Sequence, residues 1–186
     1  MRKKLIVPMM MFGRFRATVA KRDNNGDTII KRRDSKGRPV YEKQKVWVVR
    51  REKDGDPGMY PSVNHIYERM AKGRQRLTEP AEQLKRKWET LAQMWAEEVA
   101  WHTTKGEKVV VELTAHFPAD KKRRDTNNVF KLMMDAFTGI IYDDDEYALP
   151  RVMDFHRVAE GEKPYFELNI YLKSEEDAVM MERYAA

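Results

Sequence analysis

The sequence predicts an α+β fold with a basic, β-rich N-terminal extension, and three observations carry that prediction. Leu84, Trp88, Leu91, Trp95 and Val99 recur at helical spacing, which gives one helix a single apolar face. Val109–Phe117 reads VVVELTAHF, a strand-length run rich in β-branched residues. Within the first 57 residues, turn chemistry recurs at Asn24, Asn25 and Gly26, at Ser35, Lys36 and Gly37, and from Asp54 to Pro57. Such close punctuation leaves room only for short strands.

Residues 28–30, 39–42 and 46–50 are the strand candidates between those turns. Three short strands bury too little surface alone, so this small meander is expected to lean on the main body. Thr78 is placed to cap a helix opening Glu79, Pro80, Ala81, since proline is tolerated in a first turn. The helical spacing of Trp88 and Trp95 makes them packing residues rather than a base-stacking platform. Gly106 ends this stretch, the strand Val109–Phe117 follows, and residues 118–124 form a charged loop. Residues 126–138 have helical character, with Val129, Leu132, Met133, Ala136 and Phe137 on one side and Gly139 as a natural stop. Residues 151–158 and 165–172 are further strands joined by a hairpin-like turn at Glu160, Gly161, Glu162 and Lys163, and residues 174–186 add a terminal helix. The body thus reads helix, strand, helix, strand, strand. The expected divisions are an extension over 1–58, a main domain over 59–173 and a tail over 174–186.

Composition narrows the function. A chain of 186 residues, 41% hydrophobic and 35% charged, accommodates one core. The absence of cysteine excludes disulfides, thiolate nucleophiles and cysteine-based zinc sites and fits a reducing interior. The histidines at 65, 102, 116 and 156 lack metal-ligand spacing. No apolar run approaches the roughly 18 residues that span a bilayer, so no membrane partner is expected. The start, MRKKLIVPMMMFG, imitates a signal peptide, but Pro8 interrupts it and GRFRATVAKR replaces a cleavage site. It reads as an apolar segment of a cytoplasmic protein. Residues 1–57 carry 17 Lys and Arg against 7 Asp and Glu, a net of +10, while the remainder carries 19 against 23, a net of −4. Two readings fit this asymmetry: a surface that binds a polyanion, through phosphate neutralisation and counterion release, or a solvated surface.

The densest cationic and acidic clusters flank one short amphipathic segment, KKRRDTNNVFKLMMDAFTGIIYDDDEY, from Lys121 to Tyr147. Asn127, Lys131 and Asp135 follow Asp125 at intervals of four, on a polar stripe opposite the apolar side. Asp143, Asp144 and Asp145 lie beyond Gly139, on a connection returning toward the helix. Three adjacent carboxylates repel one another unless water or a cation intervenes, and hard oxygen ligands suit Mg²⁺. The neighbouring cations, Lys121, Lys122, Arg123 and Arg124, would attract a phosphodiester backbone. Read blandly, the cations are a solvated loop and the acids a polar turn.

The same stretch resembles the core of the RusA family of Holliday junction resolvases. An Arg/Lys-rich loop there leads into Asp-x-Asp-Asn, then Lys, an Asp-Ala pair, and Asp-Asp after an aromatic or apolar pair. Arg123, Arg124, Asp125, Asn128, Lys131, Asp135, Ala136, Asp144 and Asp145 meet that pattern. PSVNHIY at 61–67 is similar to the family's Pro-Ser-x-Asn-x-x-Tyr opening. The resemblance covers roughly 59–172 and implies a small mixed β-sheet packed with helices. It also implies a homodimer that cleaves four-way DNA junctions with Mg²⁺ or Mn²⁺. It assigns metal-binding acids to Asp125 and Asp145, with Asp144 nearby, and the catalytic lysine to Lys131. Lys121, Lys122, Arg123, Arg124, Asn64 and Tyr67 are expected to contact DNA, although capping or packing competes with that role for Asn64 and Tyr67. One departure stands out: the second acid of Asp-x-Asp-Asn falls on Asn127, whose neutral carbonyl oxygen can still ligate, with Asp143 or Asp135 available to compensate. The alternative is a DNA-binding protein on the same fold with weakened or lost catalysis. An RNA-binding role is disfavoured because no RRM, KH or aromatic platform motif is visible.

Overall fold

Leu5 and Val7 are buried and alternate with solvent-facing Lys4 and Ile6, and this period of two makes Lys3–Pro8 a strand, β1. The computed structural model describes residues 2–185; Met1 and Ala186, the outermost residues of the expected extension and tail, lie outside the described residues. The same alternation builds β2 (Gly13–Ala20), with Phe15 inward and Arg14 and Arg16 outward. β3 (Ile30–Arg33) and β4 (Pro39–Tyr41) pair with each other, and β5 (Lys43–Arg50) returns antiparallel along β2, from Gly13 opposite Arg50 to Ala20 opposite Lys43. The basic segment is therefore a long two-stranded ribbon with a hairpin beyond its end, not the expected meander of three short strands. The strand expected at 28–30 begins only at Ile30, because Thr28 forms an isolated bridge with Arg22 across the preceding turn.

The rest of the chain runs through α1 (Val63–Ile66), β6 (Tyr67–Arg69), β7 (Gln75–Leu77), α2 (Glu79–Glu98), β8 (Val109–Phe117), α3 (Phe130–Phe137), β9 (Ala148–Arg157), β10 (Tyr165–Leu172) and α4 (Glu176–Ala185). The central sheet has the order β1-β10-β8-β9, with β8 antiparallel to β10 and parallel to β9. The molecule is thus α+β with a small mixed sheet, as the sequence predicts. Strand β8 is central and almost wholly buried, which explains its apolar, β-branched content; Glu112, the carboxylate buried within it, accepts from Tyr171 and Arg183. Its position also corrects the hairpin expected over 151–172. β9 and β10 pair with opposite sides of β8, so the turn between them passes across the end of β8 instead of joining neighbours.

Pro80, Ala81, Leu84, Trp88, Ala92 and Trp95 form the buried face of α2. Trp88 and Trp95 donate their indole N–H groups to the carbonyls of Pro8 and Lys4, each at 2.8 Å. These bonds bind α2 to β1, so residues 3–8 are hydrogen-bonded into the same body as β8 and β10. Thr78 occupies the cap position of α2 without capping it; its hydroxyl instead donates to the His65 carbonyl at 3.5 Å. Gly58 has φ +80°, and a Cβ there would lie 2.8 Å from the Met11 carbonyl oxygen. That close approach lets Met11 and Met59 exchange backbone bonds of 2.8 and 2.9 Å, which fasten the chain after β1 beside residues 59–67.

Candidate functional site

The site begins where β8 ends. Arg124 makes two bonds to the Asp120 carboxylate, at 2.6 and 2.7 Å, with only 5% of its side chain exposed and its guanidinium 5.8 Å from the Phe117 ring centre. Arg124 therefore holds the loop together, whereas Lys121, Lys122 and Arg123 are exposed. The Arg124 guanidinium holds the Asp120 carboxyl below the usual carboxylate range. Lys122, Arg123 and Asp125 line a cavity of about 500 Å³ together with Arg50 and His65.

Asp125 is fixed twice. Its carboxylate accepts the Asn127 backbone N–H at 3.0 Å, capping a 3-10 turn over Thr126–Val129, and its carbonyl accepts the Tyr60 hydroxyl at 2.9 Å. The helical character expected from 126 is thus a tightened turn followed by α3. Tyr60 is buried edge-on against Phe117 and Phe166, and that burial pushes its phenol well above its ordinary pKa. The Asn127 side chain remains exposed.

On α3, Leu132, Met133, Met134, Ala136 and Phe137 face the core, and Lys131 and Asp135 lie on the other side. Lys131 Nζ is 2.8 Å from Asp135 Oδ1 and 4.0 Å from Asp145 Oδ2. The hydrogen bond to Asp135 is the main cause holding the ammonium above the usual lysine range; the charge of Asp135, Tyr67 and Asp145 reinforces it against desolvation. The acidic triplet meanwhile splays apart. Asp143 accepts the Gly106 N–H, Asp144 caps the turn Asp145–Tyr147 by accepting the Glu146 N–H at 2.9 Å, and Asp145 turns toward Lys131. Asp143 is accordingly engaged with Gly106, while Asp135 pairs with Lys131.

Asn64 is exposed on α1 and Tyr67 is half-buried at the end of that helix. Both line an open groove of about 1290 Å³ between the ribbon and the body. Among the described residues, no three His, Asp or Glu side chains gather closely enough to hold a metal ion. Sequence reasoning missed Tyr60, Arg50 and His65. Tyr60 directly precedes the 61–67 motif, but nothing in its spacing reveals the hydroxyl's reach to Asp125.

The chain matches the family model Endodeoxyribonuclease RusA over residues 57–171. None of the curated proteins compared with it matches. The matched segment is more than half of the chain and contains the Asp125 turn, Lys131 and the returning acids; the chain belongs to the RusA family of endodeoxyribonucleases.

Proposed function

We propose that the protein is a metal-dependent endonuclease that resolves four-way DNA junctions by paired phosphodiester hydrolysis as a homodimer, with residues 59–173, completed by strand β1, as the nuclease body. One observation carries this reading: the return after α3 brings Asp145 within 4.0 Å of Lys131, on the same helical run that Asp125 caps. The donor set suits Mg²⁺ or Mn²⁺. It consists of oxygens alone; Asp125 and Asp144 each give one oxygen to a backbone N–H and keep the other, and the Asp145 side chain is 49% exposed. Mg²⁺ is commonly held by one or two carboxylates together with waters and substrate phosphate. Asp125 and Asp145 would hold the ion as its two carboxylates, with Asp144 nearby and the amide oxygen of Asn127, waters and substrate phosphate completing its shell. Once bound, it would supply an activated water and stabilise charge on the phosphate. Lys131, kept protonated by its acidic neighbours, acts as a fixed cation beside the reacting phosphoryl oxygens and not as a base. Lys121, Lys122 and Arg123 hold the backbone, and Arg124 shapes their loop through Asp120.

A weakened or inactive DNA-binding relative is the second reading, favoured by the neutral side chain at Asn127. Nicking of labelled four-way junctions with Mg²⁺, Mn²⁺ or chelator separates the two. Cleavage is expected with either metal and none with chelator. Asp125→Asn and Asp145→Asn should each lower the rate at least a hundredfold while junction binding persists. Wild-type rates in both variants would refute the assignment.

A further inference from the structure

The ribbon carries an exposed aromatic residue framed by cations. Arg14 and Arg16 on β2 share a face with Trp47 on β5, which stands opposite Arg16 in the register. Their guanidinium carbons lie 4.3 and 5.3 Å from the Trp47 ring centre, and Trp47 is still 48% exposed. Among the described residues, neither arginine pairs with a carboxylate. Trp88 and Trp95, in contrast, are buried. Both ribbon strands lie before the segment matched to the RusA family model, residues 57–171.

We propose that this face holds an unpaired DNA strand, with Trp47 as a base-stacking platform and Arg14, Arg16 and Lys45 on the phosphates; the inference rests on the DNA-directed reading above. The groove of about 1290 Å³ exceeds the upper end, near 1,000 Å³, of small-ligand sites, which favours a polymer. Arg14, Arg16, Lys45 and Trp47 line one wall and Asn64 and Tyr67 the other. Helix α1, which carries Asn64 and ends at Tyr67, packs against α3, so this wall of the groove adjoins the α3 site. Arginine stacked on an aromatic ring keeps its N–H fork free for a phosphate. Residues two apart on a strand are separated by about 6.8 Å, on the order of the distance between successive phosphates. An exposed aromatic in a basic groove suits unstacked bases, whose faces a duplex conceals.

Full-length protein titrated with a short oligothymidine, without metal, tests this directly. Binding is expected to quench tryptophan fluorescence, because Trp47 is exposed whereas Trp88 and Trp95 are buried. Trp47→Ala should weaken oligothymidine binding about tenfold, Trp47→Phe should retain most of the affinity but lose the quench, and duplex binding should change much less. Arg14→Ala/Arg16→Ala should reduce the slope of log K against log salt by about 1.4, at about 0.7 per phosphate of a single strand. That slope also decides the matter should Trp47→Ala fail to fold by circular dichroism. No oligothymidine binding, an unchanged salt slope, or equal losses on duplex and single strand would overturn the proposal, the last marking the ribbon as a duplex contact. A protein that binds oligothymidine as described but cuts no junction would fault the proposed nuclease activity and leave the ribbon assignment standing.

Discussion

Asn127 has an exposed side chain at the position where the family pattern carries a second acid, while its backbone N–H caps onto Asp125. A carboxylate ~4 Å from a divalent cation at an effective dielectric of ~20 gains roughly 8 kcal/mol of gross Coulomb energy. Desolvation and repulsion from Asp125, Asp144 and Asp145 offset most of it. A remainder of about 1.4 kcal/mol corresponds to tenfold tighter metal binding. Asn127→Asp should therefore saturate cleavage at about tenfold lower Mg²⁺, which a metal titration on one junction checks against wild type. Asp120 supports a different expectation, because its bond to Arg124 lowers its folded-state pKa below the ordinary 3.8. A depressed carboxyl contributes stability above its unfolded pKa and loses it as pH falls through the folded value. Asp120→Asn should cost about 2 kcal/mol at neutral pH, because it weakens the partner of a nearly buried guanidinium. Denaturant melts should show that difference shrinking below about pH 4 as the wild-type carboxyl is protonated. At this scale Asp125, Lys131 and Asp145 were visible as candidates, through the polar stripe, the acidic triplet and the resemblance to the RusA pattern. Tyr60 and Arg50 were not, since a tertiary bond and a shared cavity leave no periodic trace.

Among the elements, α2, β8 and α3 were readable because each carries one strong pattern: a helical apolar stripe, a β-branched run, or an apolar face stopped by a glycine. The alternation in β1 is just as regular, but there it resembles a signal segment, and in β2 it holds around Phe15, between Arg14 and Arg16, and lapses at exposed Thr18 and Val19. Pairing was harder to foresee. Nothing local in β9 or β10 tells that β8 comes between them, because that order is set by which strand can be covered on both faces. The consequence for β1 is testable by truncation. It pairs with β10 over six residues, and its segment accepts two indole bonds from α2, so deleting residues 2–12 should leave the protein unfolded or insoluble. Replacing residues 21–42 by Asn-Gly should spare the fold, since Ala20 and Lys43 already face each other and that dipeptide closes a two-residue hairpin. Thermal unfolding should place this second variant within a few degrees of wild type.

The molecule as a whole must make two cuts if it resolves a four-way junction, and a two-fold dimer supplies two related sites. Its sheet ends in two edges of unlike character. β1 carries Lys3 and Lys4 with Pro8 at its end, features that discourage edge pairing, and Lys4 is engaged by Glu167 at 2.9 Å. β9 instead exposes Met153 and Phe155, at 44% and 59%. Two apolar side chains on an open edge are a liability that a second copy would cover. Light scattering should accordingly give twice the monomer mass of 22.1 kDa at micromolar concentration. Phe155→Glu should shift the protein toward monomer, because two copies of the charge would meet across a two-fold axis, and junction resolution should fall more than single-site nicking. Circular dichroism should match wild type, as Phe155 is mostly exposed and meets the fold at the Phe117 ring, 5.9 Å away. A wild-type monomer both alone and with junction DNA would refute the dimer. A dimer indifferent to Phe155→Glu would place the interface away from β9.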